Sequence, residues 1–193
     1  MFDTVMSNFV EARPVEVKFA KVRPDAIIPS KRDEDMGFDI YACFDEDYII
    51  IEPHETKLIP TGIASSCSPE YGFLLRERGS TGSKGIALRC GVIDSGYRNE
   101  WFVCLTNTTN KRLFISKLSE EDTLNKYYND IKWKFIVKIK KFFTKTIVYP
   151  YSKGIAQALI APVPKVDKEE IPYDKLKEIA SERGMGALGS SLK

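Results

Sequence analysis

In the run GVIDSGYRNEW, residues 91–101, the eight residues from Gly91 to Arg98 hold one carboxylate, one phenol and two turn glycines. Asp94 follows Gly91, Val92 and Ile93, and Tyr97 lies across a Ser95-Gly96 step, which predicts a hairpin. Backbone amides at such a turn can read the edge of a flat ligand, the Tyr can wall it, and the Asp can act as a base. Residues 76–85, RERGSTGSKG, carry different chemistry. Small residues let backbone N–H groups converge on an anion, while Arg78 and Lys84 supply positive charge; taken alone, the run reads either as such a site or as a solvated flexible turn. The spacing is not that of a Walker loop. RGMGALGSS, from Arg183 to Ser191, repeats the Gly/Ser/Arg composition, so two separate loops suggest a polyphosphate gripped from two sides. Asp39, in GFDIYA, has two readings: a structural carboxylate bonding backbone amides, or a member of a polar site. Asp94 has the same two, and a base acting on water is its simplest catalytic role.

The rest of the composition removes competing chemistries. His54 is the only histidine, so any Ser-His or Cys-His pair must use it. It lies in IEPHETKLIPTG between two apolar strands and reads as an exposed turn residue. Cys43, Cys67, Cys90 and Cys104 are far apart without a CxxC pair, which argues against a zinc site and for reduced thiols in a cytoplasmic protein. A net charge of +2 excludes a chain-wide basic nucleic-acid binder. No signal peptide is visible at the start, and no window approaches the roughly 18 apolar residues of a membrane span.

The elements that must position these residues are short strands. VEVKFAKV, DIYACF, YIIIE, TKLIPTGIAS, YGFLLRE, GIALRCGVI and EWFVCLTNTT are rich in β-branched and aromatic residues and bounded by turn formers. Such spacing without helical periodicity predicts a sandwich or barrel, closer to a jelly roll than to a fold with crossover helices. Residues 118–149 differ. SEEDTLNKYYND predicts a short helix with Ser119 as N-cap and Glu120, Glu121 and Asp122 in its first turn. IKWKFIVKIKKFF alternates apolar residues with lysines as a strand does, although Phe135, Ile136, Ile139, Phe142 and Phe143 also fit one helical face. IVYPYSKGIAQALIAPVP is strand-like again, IPYDKLKEIASE predicts two or three helical turns, and RGMGALGSSLK alone reads as a disordered tail.

In order, GFDIYA, RGSTGSKGI, GVIDSGYRNEW, KGIAQALI and RGMGALGSS resemble the five motifs of the trimeric deoxyuridine triphosphate nucleotidohydrolases, the dUTPases. DAIIPSKRDEDM before the first and LIPTGIAS before the second are also family-like. The resemblance covers about residues 15–117 and 147–193. It implies an all-β, distorted jelly-roll-like β-barrel forming a single domain over 1–193. Residues 118–149 would be a helical or strand insert, and 182–193 an extended arm closing a neighbour's site. The implied protein is a cytoplasmic homotrimer (in the host cytoplasm if viral) with shared active sites, and binds neither membrane nor nucleic acid. The implied reaction is dUTP plus water giving dUMP and pyrophosphate, with Mg2+ held by the phosphates.

By motif position, Asp94 would deprotonate the water that attacks the α-phosphorus, and Gln157 would contact that water or the α-phosphate. Arg78 and the amides around Gly79, Ser80, Thr81 and Gly82 would hold phosphates. Asp39 would hydrogen-bond the metal's waters. Tyr97 would pack on the deoxyribose, and the backbone from Gly91 through Ile93 and Asp94 to Tyr97 would pair with uracil. Arg183 would grip the terminal phosphates with Ser190 and Ser191, Leu188 would cover the base, and Gly189 would belong to the same substrate-binding arm.

The chain departs from the family pattern at three places. Arg78-Gly79-Ser80 stands where the family has Arg-Ser-Gly, and Ser152-Lys153-Gly154 where it has Gly-Asp-Arg. Leu188 replaces a stacking Phe, which predicts a weaker lid. Two other readings accompany the hydrolase: a dCTP deaminase-like relative using Glu100, and a regulatory protein of the same fold that binds a partner through 118–149.

Overall fold

The computed structural model describes residues 14–130 and 146–181. The chain divides into two units, Met1–Val163 and Pro164–Lys193. Among the described residues of the first, twelve strands form four small sheets: β1 (Val17–Lys21), β2 (Gly37–Ile40), β3 (Tyr48–Ile51), β4 (Thr56–Pro60), β5 (Ile63–Cys67), β6 (Tyr71–Arg76), β7 (Ile86–Arg89), β8 (Val92–Ile93), β9 (Phe102–Asn107), β10 (Arg112–Ser116), β11 (Thr146–Pro150) and β12 (Ala156–Pro162). Helices α1 (Gly79–Gly82) and α2 (Glu120–Asp130) interrupt them. The sheets run β2-β12-β6-β8, β4-β9-β7, β11-β10-β3 and β1-β5. All pairings are antiparallel except β10 with β11. This is the strand-rich, jelly-roll-like fold class that the sequence predicts, although the ladders do not join into one closed barrel.

The core lies between the sheets. Trp101, Phe44, Phe73, Phe114 and Tyr149 are fully buried among Ile40, Ile51, Ile59 and Leu113. Phe73 meets Trp101 edge-on at 4.9 Å, and Phe19 meets Trp101 at 5.8 Å. Rings at these spacings add about 0.5–1.5 kcal/mol per pair beyond the area that they bury.

Two segments expected as single strands are broken, each at a left-handed residue. TKLIPTGIAS splits into β4 and β5 at Gly62, φ 67°. A Cβ there would stand 2.7 Å from Ala26 Cβ and 2.9 Å from Cys43 Sγ, so both conformation and space require glycine. GIALRCGVI splits at Cys90, φ 51°. That bend takes the chain out of the β7–β9 ladder and lets β8 pair with β6 instead. RERGSTGSKG, read as an anion-binding loop, contains the single helical turn α1.

α2 starts as predicted, with the Asp122 amide donating to Ser119 Oγ at 3.1 Å. It is seated on β10: Thr123 is buried and shares a 2.7 Å hydrogen bond with Ser116, and Tyr127 packs edge-on against Phe114 at 5.2 Å. The strand-or-helix segment IKWKFIVKIKKFF, residues 131–143, lies outside the described residues. In the second unit, α3 (Tyr173–Glu178) is shorter than the two or three turns expected, with Leu176 and Ile179 exposed.

Candidate active site

Strands β2, β12 and β6 lie side by side, and their register sets Asp39 opposite Gln157, and Gln157 opposite Arg76. Directly paired residues project from the same sheet face, so Asp39 and Gln157 share a side. Arg78, just past β6, folds back onto that side. Its Nε is 2.8 Å from Asp39 Oδ1, its Nη2 is 2.9 Å from Oδ2, and its Nη1 donates to the Gly154 carbonyl at 3.2 Å. This is a two-point fork, the geometry in which guanidinium and carboxylate bind most strongly. Gln157 donates Nε2 to the Glu77 carbonyl at 2.8 Å, leaving its amide oxygen beside Gly37.

These side chains line one cleft of about 660 Å³, with Gly79 and Ser80 on its wall and Lys31 and Arg32 on its rim. Arg32 forks onto Asp35 at 2.8 and 2.9 Å, and this bond holds the Asp35 carboxyl down to about 2. Beside the cleft, the Leu88 amide donates to Glu77 Oε1 at 2.9 Å and holds that carboxyl below its usual range.

α1 places the amides of Gly79 and Ser80 at its first turn, where no carbonyl of the helix can accept them. Thr81 is turned inward instead. Its Oγ1 accepts from the Arg78 amide at 3.0 Å, and its own amide donates to the Arg78 carbonyl at 3.0 Å. Thr81 is thus a buried brace for the turn, and Gly82 lies outside the cleft lining. The Ser80 hydroxyl meets Tyr149 Oη at 3.2 Å.

The 91–101 run is elsewhere. Gly91 is locked to β6, its carbonyl accepting from the Leu75 amide at 2.6 Å. β8 leads from it to a turn closed by the Tyr97 amide on the Asp94 carbonyl at 3.0 Å. The turn is present, but the expected hairpin is not: the chain after it continues into β9, which pairs with β4 and β7, while β8 pairs with β6. Asp94 is exposed, and its carboxylate has no hydrogen-bond partner among the described residues. Tyr97 is 37% exposed and donates to the Glu100 carbonyl at 3.0 Å. Neither they nor Gly91 and Ile93 line the cleft. Arg183, Leu188, Gly189, Ser190 and Ser191 lie outside the described residues.

Sequence reasoning missed Tyr149, Glu77 and Gly154. Their roles come from neighbours distant in the chain, so nothing local flags them. The Lys31-Arg32 pair on the rim was visible as a basic step in DAIIPSKRDEDM. His54 is an exposed turn residue as expected, with φ 62° and Nε2 2.9 Å from Asn110 Oδ1. All four cysteines are free. No helix among the described residues is long and apolar enough to cross a membrane.

The dUTPase family model matches residues 23–119. The deoxyuridine 5'-triphosphate nucleotidohydrolase of Nautilia profundicola is 32% identical over 183 residues, 93% of this chain and 100% of its own length. That of Neisseria meningitidis serogroup C is 40% identical over 98 residues, 48% of this chain and 65% of its own length. Among solved structures, a Staphylococcus bacteriophage 80alpha dUTPase variant with dUpNHpp has a TM-score of 0.60 at 21% identity, covering 91% of this chain and 98% of its own. The fold is shared with that enzyme, and the near end-to-end match to the Nautilia protein settles the relationship: the chain belongs to the dUTPase family.

Proposed function

We propose that the chain hydrolyses dUTP to dUMP and pyrophosphate in a homotrimer with shared active sites. One observation carries this reading. Asp39, Arg78, Gly79, Ser80 and Gln157 converge on one cleft, while Asp94 and Tyr97 stand exposed outside it. A site that needs both halves is completed by joining the cleft of one subunit to the 91–101 run of another, with the arm 182–193 closing it through Arg183, Leu188, Gly189, Ser190 and Ser191.

Within that site, Arg78 and the amides of Gly79 and Ser80 hold the phosphates. Asp94 orients the attacking water and takes its proton, and Gln157 positions that water or the α-phosphate. The backbone from Gly91 to Tyr97 reads the uracil edge, and the Tyr97 ring leaves no room for a 2′-hydroxyl. A bound Mg2+ would neutralise phosphate charge. The donor set suits a metal held mainly by substrate: among the described residues no three acidic, Cys or His groups cluster, and the Asp39 oxygens keep lone pairs beyond those facing Arg78, free to accept from metal waters. Four unpaired thiols, Cys90 among them exposed, support a reducing, cytoplasmic setting.

The deaminase alternative needs a free Glu100 carboxylate. Its Oε1 accepts from the Gly62 amide at 2.7 Å, which gives Glu100 a structural role at the bend between β4 and β5, and the dCTP assay below decides between the two readings. The proposal of a docking insert keeps residues 118–149: α2 packs Thr123 and Tyr127 on β10 and leaves Glu121, Asn125 and Lys126 exposed on its outer side. Deleting 131–145 alone leaves hydrolysis and trimer intact if the segment serves docking, and dissociates the trimer if it serves packing.

The main test is pyrophosphate release from dUTP, dCTP, dTTP and UTP with Mg2+, beside a measured oligomer mass. Selective turnover of dUTP by a trimer is expected. Ammonia release from dCTP without pyrophosphate overturns the reading.

A further inference from the structure

Tyr149, at the end of β11, is 1% exposed, yet its hydroxyl reaches two groups at the cleft. It donates to the Gly154 carbonyl at 2.8 Å and meets Ser80 Oγ at 3.2 Å. The same Gly154 carbonyl accepts from Arg78 Nη1 at 3.2 Å. One buried phenol therefore ties the phosphate-facing serine to the carbonyl that seats the arginine. Gly154 completes the arrangement: a Cβ there would touch Arg78 Cδ, Nε and Nη1, each at 3.4 Å, so a longer side chain would displace the guanidinium from Asp39. Lys84 lies over the Tyr149 ring, its Nζ 5.4 Å from the centroid. These contacts fall where the sequence departs from the family pattern, at Arg78-Gly79-Ser80 and Ser152-Lys153-Gly154.

We propose that Tyr149 is a positioning residue for this chain's reaction, fixing Ser80 and, through the Gly154 carbonyl, the Arg78 fork in the orientation that receives the substrate phosphates. The proposal rests on the dUTP-hydrolase reading. Tyr149 does not line the cleft, so it acts through Ser80 and Arg78 rather than by touching substrate. A buried hydroxyl with two fixed partners restricts both, and misplacement of a phosphate-holding group by an ångström can cost about a hundredfold in rate.

Tyr149→Phe removes the hydroxyl and keeps the ring, its packing and the Lys84 contact. The full-length trimer is assayed for pyrophosphate release from Mg·dUTP, with thermal melting as a folding control and Ser80→Ala and the double variant alongside. Expected for Tyr149→Phe is a kcat about tenfold lower, with KM within about twofold. The double variant should lose less than the product of the single losses, because Tyr149 acts partly through Ser80. An unchanged kcat, or losses that multiply independently, overturns the proposal; so does a lower melting temperature with unchanged turnover per folded trimer. If Tyr149→Phe does not fold, the proposal is decided by Gly154→Leu: expected is a reduced kcat as Arg78 is displaced, and full turnover overturns it. Wild-type protein that releases no pyrophosphate from dUTP overturns the functional reading and this proposal with it.

Discussion

The cleft and the 91–101 run are held in opposite ways. Arg78 is fixed by Asp39 and Gly154, Ser80 by Tyr149, and Gln157 by Glu77, all within one chain. Asp94 and Tyr97 stand exposed in the turn that follows the two-residue strand β8, and the Asp94 carboxylate has no partner among the described residues. A phosphate site must meet a dense charge with preset donors, so rigidity built into a single chain serves it. A base acting on water must keep its lone pairs uncommitted until the site is complete. Under the proposed function, subunit assembly would bring the Asp94 carboxylate to the cleft already built around Arg78 and Ser80.

The sharpest way to break the comparison is Asp94→Asn. It should lower kcat by about a thousandfold or more while dUTP binding persists, measured by pyrophosphate release and calorimetric titration. Retained turnover removes Asp94 from the mechanism. Arg78→Lys keeps the charge but not the fork and should cost about a hundredfold in kcat; a loss under about threefold would mean that the Asp39 fork does not matter.

Mixing inactive Asp94→Asn and Arg78→Ala subunits at equal ratio, with unfolding and refolding, tests whether the halves come from different chains. If they do, a site functions when one contributor carries an intact Asp94 and the other an intact Arg78, so about a quarter of wild-type activity should return. No recovery places both halves in one chain.

Gly91→Ala targets one half alone. The added Cβ would stand 2.6 Å from the Leu75 carbonyl, so β8 must shift from β6. KM for dUTP should rise severalfold while inhibition by pyrophosphate, which reads the cleft, stays within about twofold. Equal weakening of both would show that the regions are mechanically coupled.

The smallest effect expected is acid stability. Glu77 has a folded-state pKa lowered by the Leu88 amide, so its contribution is present above its ordinary value of 4.5 and is lost as the pH falls through the folded value. Glu77→Gln should flatten the fall in melting temperature below about pH 4.5, and an unchanged slope rules that contribution out.

Much of this was legible in the chain because it is local. Strand composition, the Ser119 cap and the exposed His54 turn depend on near neighbours, and each appears where expected. The two broken strands were not legible. An apolar run through Cys90 looks continuous, and only the left-handed backbone at that residue shows the chain changing partners. Its position in a small-residue loop sets Thr81 beside the amides expected to hold phosphates, but helical closure of that loop turns its side chain inward, where it braces the Arg78 amide.

By itself, the sequence determined which side chains are available for chemistry and the order of the motifs that carry them. Residue type and spacing suffice for that: a carboxylate and a phenol across a turn, arginines among glycines, a single histidine. Only the tertiary structure decided which of them meet. Asp39, Arg78 and Gln157 come together through the register of β2, β12 and β6, across separations that no local pattern encodes, whereas Asp94, nearer to Arg78 in sequence, is carried away from the cleft because β8 runs antiparallel along β6, from Leu74 to Phe73 and away from the Arg76 end.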